Sequence, residues 1–172
     1  LYTDWGEATS WMSPEILSVG TETVHRFLDE EPALDKFSFM LEDTLRMAPY
    51  TLDEQTEAIL AQASLLLASP EQIYQMYANA DIPWPTVTLS DGEEAQLTQA
   101  AYTFYRGIEN RDDRKLVFDT FWETWQQYAD GMGATLSSEV QANVFSARAR
   151  SYDSVLQQNL FQDGLPPEIY TQ

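Results

Sequence analysis

Cysteine is absent from this sequence. Disulfides, thiolate metal sites and thiol catalysis drop out together. Histidine is nearly absent too, with His25 alone. A zinc site assembled from His ligands within the chain is therefore disfavoured, and a Ser-His-Asp arrangement would have to run through His25. Basic residues are scarce: Lys+Arg number 9 against 28 Asp+Glu, for a formal net charge of −19. Nucleic acid and anionic membranes both reward Lys and Arg, so neither is an expected partner. The longest apolar run, Ala63 to Ala68, falls far short of the ~20 residues that span a bilayer. The chain opens on Leu1 with no charged-then-apolar leader behind it. It reads as a fragment or processed product of a longer protein, and the lack of cysteine fits a cytoplasmic location.

What remains is ample for folding. The 172 residues suit one domain. An apolar fraction of 44% and an aromatic fraction of 13% lie well above those of disordered chains. The expected fold is mainly α: one multi-helix domain over residues 1–172, with a single inserted β-hairpin at about residues 86–98.

The helical reading rests on caps and spacing. Ser13-Pro14-Glu15 sets a hydroxyl before a proline at the first helical position. Ile16, Leu17, Val24, Phe27 and Leu28 then recur at helical spacing up to Glu31-Pro32. A second helix is expected from Ala33 to Met47, ended by Pro49. Thr51-Leu52-Asp53-Glu54 and Ser69-Pro70-Glu71-Gln72 both fit the capping box, with Thr51 and Ser69 as caps. Pro83-Trp84-Pro85 cannot continue a helix. Thr86-Val87-Thr88-Leu89, the turn at Asp91-Gly92, and Ala95-Gln96-Leu97 predict the hairpin. Helix resumes at Thr98 and breaks near Asn110. A long helical stretch follows from Asp112 to Tyr152, with Gly131 and Gly133 as its expected interruption. Short helices are expected at Val155–Leu160 and after Pro166-Pro167.

No catalytic constellation emerges from these residues, and no catalytic, cofactor-binding or metal-binding residue is assigned. His25 lies inside a helix without a second His. Asp112-Asp113 reads as helix-start charge and Glu93-Glu94 as turn solubility. Gly131-Met132-Gly133 follows a helix and lacks the lysine of a phosphate loop. The aromatic stripe Phe118, Phe121, Trp122, Trp125 and Tyr128 has the spacing of a core face. Arg148 and Arg150, close to Tyr152, read as a structural ion pair. No Lys or Arg occurs between Met47 and Tyr105. That segment predicts a solvated acidic face whose field repels anions and attracts cationic peptide ends.

Several stretches, in order, resemble one family. They begin with Leu45-Arg46-Met47-Ala48-Pro49-Tyr50-Thr51-Leu52-Asp53-Glu54-Gln55-Thr56-Glu57 and continue with Asn79-Ala80-Asp81-Ile82, Thr86-Val87, Asp91-Gly92 and Leu97-Thr98. Asn110-Arg111-Asp112-Asp113-Arg114 and then Phe118 follow, with Asn110 where the family pattern has Asp. The last are Asn143-Val144-Phe145-Ser146-Ala147-Arg148-Ala149-Arg150-Ser151-Tyr152-Asp153-Ser154, then Leu160-Phe161 and Leu165-Pro166. Across Leu45 to Tyr170 the chain resembles oligoendopeptidase F and its relatives, zinc metallopeptidases of the thimet-oligopeptidase superfamily. The family's zinc ligands and general-base Glu come from a His-Glu-x-x-His helix and a later Glu in a C-terminal catalytic domain, and nothing here matches that motif. The resemblance thus implies the N-terminal, non-catalytic part of a larger peptidase, one wall of a deep channel that admits short peptides. It implies zinc in the parent enzyme, none in this segment, and a missing C-terminal catalytic domain as partner. The rival reading is a stand-alone acidic helical protein-interaction module. The fragment reading also predicts a large exposed apolar patch, near Val87 or along Phe161 to Tyr170.

Overall fold

The computed structural model describes residues 2–170. Among them are ten α-helices and one two-stranded antiparallel sheet, so the mainly α expectation with one hairpin holds. Chain contacts divide the molecule into two compact units, Leu1–Ala68 with Val140–Gln172, and Ser69–Glu139. Each has its own packing logic.

The first unit opens with α1 (Tyr2–Thr9), α2 (Met12–Val19) and α3 (Thr21–Glu30). The sequence pattern reads α2 and α3 as one helix from Ser13. Gly20 separates them, because its φ of 87° lies in the left-handed region that glycine adopts without strain. Glu31 then accepts the Ala33 N–H and starts a 3-10 turn at Pro32–Phe37, ahead of α4 (Ser38–Met47). The helix expected from Ala33 is therefore regular only from Ser38. A second 3-10 turn at Ala48–Tyr50 carries Pro49.

The start of α5 (Glu54–Leu67) corrects a boundary. Asp53, not Thr51, is its cap: the Asp53 carboxylate accepts the Thr56 N–H at 3.0 Å and the Thr56 hydroxyl at 2.7 Å. Thr51 spends its hydroxyl on the Met47 carbonyl at 3.1 Å, closing the preceding turn. Both Thr and Asp cap helices well. The 3-10 turn at Pro49 carries the chain two residues further before α5 can begin, which hands the cap to Asp53.

The second unit begins with α6 (Ser69–Met76), whose Pro70 is buried in the first turn, and a π-type turn at Tyr77–Asp81. The hairpin follows as β1 (Thr86–Thr88) and β2 (Glu94–Gln96), with Thr86 opposite Gln96, Val87 opposite Ala95 and Thr88 opposite Glu94. Alternation sends Val87, Leu89, Ala95 and Leu97 inward while Thr86, Thr88, Glu94 and Gln96 face water. An isolated two-stranded hairpin is marginal. This one is stabilised by Val117 and Phe121 of α8 (Arg111–Gln126), which share its buried cluster. Val87 is thus 8% exposed and contributes no exposed apolar surface itself. The hairpin buries what the sequence alone left open.

The hairpin tip is latched to α8. The Ser90 N–H and hydroxyl donate to the two Asp113 carboxylate oxygens at 2.9 and 2.6 Å. Asn110 caps α8 through the Asp112 and Asp113 N–H groups and donates to Ser90 Oγ at 2.8 Å. Asp113 is therefore a buried tie and not merely a helix-start charge. Before it, α7 (Gln99–Tyr105) starts where the sequence has helix resume, and Thr98 is its cap. The long helical stretch breaks at Gln127–Tyr128 and resumes as α9 (Ala129–Ala149), so Gly131 and Gly133 lie inside a helix instead of ending one. A Cβ at Gly131 would stand 3.4 Å from the Tyr77 hydroxyl, an ordinary contact, so an alanine fits there. The aromatic stripe divides likewise. Phe121 is buried, while Phe118 and Trp122 are about half exposed.

The first unit closes with α10 (Val155–Gln162) and a 3-10 turn at Pro167–Tyr170. Leu165, Ile169 and Tyr170 are exposed, so the expected C-terminal location of apolar surface does carry exposed side chains.

Two stability measurements follow. Asp53→Ala lowers the Tm by calorimetry whereas Thr51→Ala leaves it nearly unchanged; the opposite order restores Thr51 as the cap. Asp113→Ala removes the charged acceptor of the Ser90 N–H and hydroxyl and costs about 1–3 kcal/mol in urea unfolding; an unchanged midpoint would show that the latch contributes nothing.

Candidate functional site

Two clusters draw together residues that could act. In the first unit, Arg150 sits at the end of α9. Its guanidinium donates to Glu57 Oε1 at 2.6 Å and Oε2 at 2.8 Å, and to the Tyr50 carbonyl at 3.2 Å. Glu57 also accepts the Leu52 N–H at 2.9 Å. Burial alone would raise the Glu57 carboxyl, but hydrogen bonds from Arg150 and Leu52 and the guanidinium charge outweigh it and hold it below its ordinary range. The same bond to Glu57 raises Arg150 against the effect of burial. This is the structural ion pair expected of Arg150, and it is bidentate.

The turn after α9 orders the neighbouring aromatics. Tyr152 N–H bonds the Ala147 carbonyl and Ser151 N–H bonds that of Arg148, a Schellman ending with Ser151 at φ 61°. Tyr152 is thereby turned inward to stack on Tyr50, ring centroids 3.7 Å apart, with Phe161 edge-on to Tyr50. The Tyr152 hydroxyl is buried with no hydrogen-bond partner, and burial pushes its pKa up. Arg46 clasps α10 by donating to the Phe161 and Gln162 carbonyls while pairing with Asp43. The cluster is a joint held by an ion pair and stacked rings.

The second cluster is open. In the second unit, α6, α7, α8 and α9 border a cleft of about 590 Å³. Tyr74, Tyr102, Trp122 and Trp125 form much of its wall, with Met132 and Leu136 of α9 opposite in the chain order. Tyr74 and Trp125 stack with centroids 6.1 Å apart, and Tyr102 stacks on Phe121 at 4.0 Å. Hydrogen bonds fix the rings: Trp122 Nε1–H donates to the Tyr102 hydroxyl at 3.1 Å, and Gln99 to that of Tyr74 at 3.2 Å. Glu71, whose carboxylate accepts from Gln75 Nε2 at 2.7 Å, and Glu139 are its charged lining residues.

Other sequence candidates stand apart. His25 lies 3.1 Å from Glu42 at the surface, each about half exposed. Arg148 is exposed and lines a shallow surface pocket with Phe145. Glu93 accepts the Tyr105 hydroxyl at 2.6 Å. Among the described residues no group of three or more His, Asp or Glu side chains could hold a metal ion. The donor set therefore does not fit a zinc site, and no step through zinc is assigned to it. The cleft escapes a linear reading because Tyr74, Tyr102 and Leu136 come from three different helices. Their one signal was the aromatic excess at α8. Glu57 was hidden by the Thr51 cap reading, which gave the reciprocal role to Glu54.

Comparison with known proteins fixes the class. The family described as Oligopeptidase F matches residues 15–83. Oligopeptidase PepF of Bacillus subtilis is 35% identical over 99% of this chain, and the plasmid oligoendopeptidase F of Lactococcus lactis subsp. cremoris is 29% identical over 99%. The solved oligoendopeptidase-F of Enterococcus faecium shares the fold, with a TM-score of 0.91 and 24% identity over 99% of this chain. The chain spans only 25% and 28% of the two curated relatives and 34% of the solved one. It is thus similar in sequence and fold to one region of a peptidase. More narrowly, the likenesses support the N-terminal region of an oligoendopeptidase F-like peptidase.

The Glu57–Arg150 pair makes a pH prediction. A depressed folded pKa contributes stability that is complete above the unfolded value near 4.5 and is lost as pH falls below it. The stability gap between the natural chain and Glu57→Gln is widest near neutral pH and shrinks below about 4.5. A gap independent of pH in urea titrations would remove the pair from the account.

Proposed function

We propose that residues 1–172 are the N-terminal, non-catalytic region of an oligopeptide-cleaving zinc metalloendopeptidase. Both compact units belong to that region. In the parent it walls one side of an enclosed channel, so that short peptides enter and folded proteins do not. A C-terminal catalytic domain supplies the zinc ligands and the general base, and it is the segment's natural partner. Zinc there would activate water for attack on a peptide carbonyl; this chain's own contribution is shape and charge.

The observation that carries the reading is coverage: 99% of this chain aligns with about a quarter of each curated oligopeptidase. Charge supports it as well. A net −19 surface, with no base between Met47 and Tyr105, attracts the cationic ends of peptides and repels nucleic acid and anionic lipid. No helix among the described residues is long and apolar enough to cross a membrane. A cytoplasmic site of action completes the reading, supported by the absence of cysteine.

The test compares the 172-residue chain with the longest gene product that contains it, using quenched fluorescent peptides and a folded protein substrate. The longer product should retain zinc through gel filtration and cleave the peptides but not the folded protein. The 172-residue chain alone should do neither. Peptide turnover by the short chain, or a longer product inert toward peptides, would overturn the reading.

A further inference from the structure

The aromatic cleft of the second unit has a composition that selects its occupant. Its apolar wall includes the rings of Tyr74, Tyr102, Trp122 and Trp125, three of them held by hydrogen bonds: Tyr74 by Gln99, and Tyr102 and Trp122 by one another. Such a wall is built before anything binds, so little ordering entropy is spent on association. Its volume, about 590 Å³, lies within the range of ordinary ligand sites. Apolar surface alone would take any greasy molecule. The charged lining residues narrow the choice.

Glu71 and Glu139 line the cleft, and none of its lining residues is Lys, Arg or His. An anion entering would lose hydration and meet two carboxylates. A cation would meet aromatic rings and carboxylates instead, Glu71 among them with one oxygen already accepting from Gln75 Nε2 at 2.7 Å. Within the same unit a guanidinium already uses one of these rings: Arg106, which is not among the lining residues, sits 5.9 Å from the Tyr102 centroid. A planar guanidinium stacks on aromatic rings and bonds carboxylates in a way that a compact ammonium does not. Aliphatic Met132 and Leu136 leave room for a neighbouring apolar side chain. A second copy of this chain is a poor occupant, because two bodies of net charge −19 repel.

We propose that this cleft binds a short peptide segment presenting an arginine beside a large apolar residue, with the guanidinium between the aromatic wall and the Glu71 and Glu139 carboxylates. The site belongs to the 172-residue chain itself and does not depend on the peptidase reading.

Citrulline, the neutral isostere of arginine, gives the direct test. The 172-residue chain is titrated with the acetylated, amidated peptide Phe-Arg-Phe-Arg and with its citrulline counterpart, followed by tryptophan fluorescence and calorimetry. The arginine peptide should bind about tenfold more tightly and perturb the tryptophan emission. Glu71→Gln with Glu139→Gln should erase that preference. Glu94→Gln with Glu109→Gln, which removes the same charge elsewhere on this unit, should keep it. Equal affinity for the two peptides, no binding of either, or equal loss in both double variants would overturn the proposal. So would sedimentation showing that a dimer occludes the cleft. If the Glu71 and Glu139 variant fails to fold, the citrulline comparison on the natural chain decides alone.

Discussion

Arg150 reaches Glu57 across 93 residues of sequence, and the first unit is arranged so that the two meet as a matched pair. Their side chains are only 25% and 12% exposed, so each charge has given up most of its water. Such burial is tolerable only when geometry is bidentate and the remaining polar atoms are satisfied. Both conditions hold: Glu57 uses its oxygens on Arg150 and on the Leu52 N–H, and Arg150 adds the Tyr50 carbonyl. The pair fixes Tyr50, Tyr50 receives Tyr152, and Phe161 closes on both rings. Removing either charge would leave the other buried and would loosen the aromatic stack along with it.

The second unit depends on a polar constraint of another kind. A three-residue strand pair has too little surface to hold itself together. Ser90 and Asp113 remedy this by joining the hairpin tip to the first turn of α8, while Val87, Ala95 and Leu97 pack against Val117 and Phe121. Neither contact suffices without the other. The apolar cluster sets which face is buried, and the Asp113 carboxylate sets the position along α8.

Much of this was legible in the sequence. Strand propensity around Asp91-Gly92 predicted the hairpin, and the resumption of helix at Thr98 and its break near Asn110 were placed correctly, although the register and the capping roles of both side chains came only from the structure. The misplaced boundaries have local physical causes. Gly20 adopts a positive φ where a periodic apolar pattern continues through it, so periodicity alone joined α2 to α3. Thr51 and Asp53 are equally plausible caps by chemistry, and only the 3-10 turn over Pro49 decides between them. Gly131 looked like an interruption, yet it lies within a continuous helix, which tolerates an isolated glycine at a modest cost. The Glu57–Arg150 pair and the aromatic cleft were less legible. Each is defined by residues far apart in sequence, and no local period encodes such a meeting.

The division into two units has a consequence for how the protein is made. The second unit is continuous, Ser69–Glu139, whereas the first is assembled from the two ends of the chain. Synthesis runs from the N-terminus, and domains generally fold as units as they emerge. The ribosome therefore releases a complete second unit while the first still lacks α10 and the end of α9. Glu57 waits through 93 residues of translation before its guanidinium arrives. During that interval the Tyr50 ring has no Tyr152 to stack on, and the N-terminal helices carry exposed Phe39, Ile59 and Leu66. The nascent chain is thus most vulnerable to off-pathway association at its oldest part, and a chaperone that holds the N-terminal helices would act on the segment that waits longest.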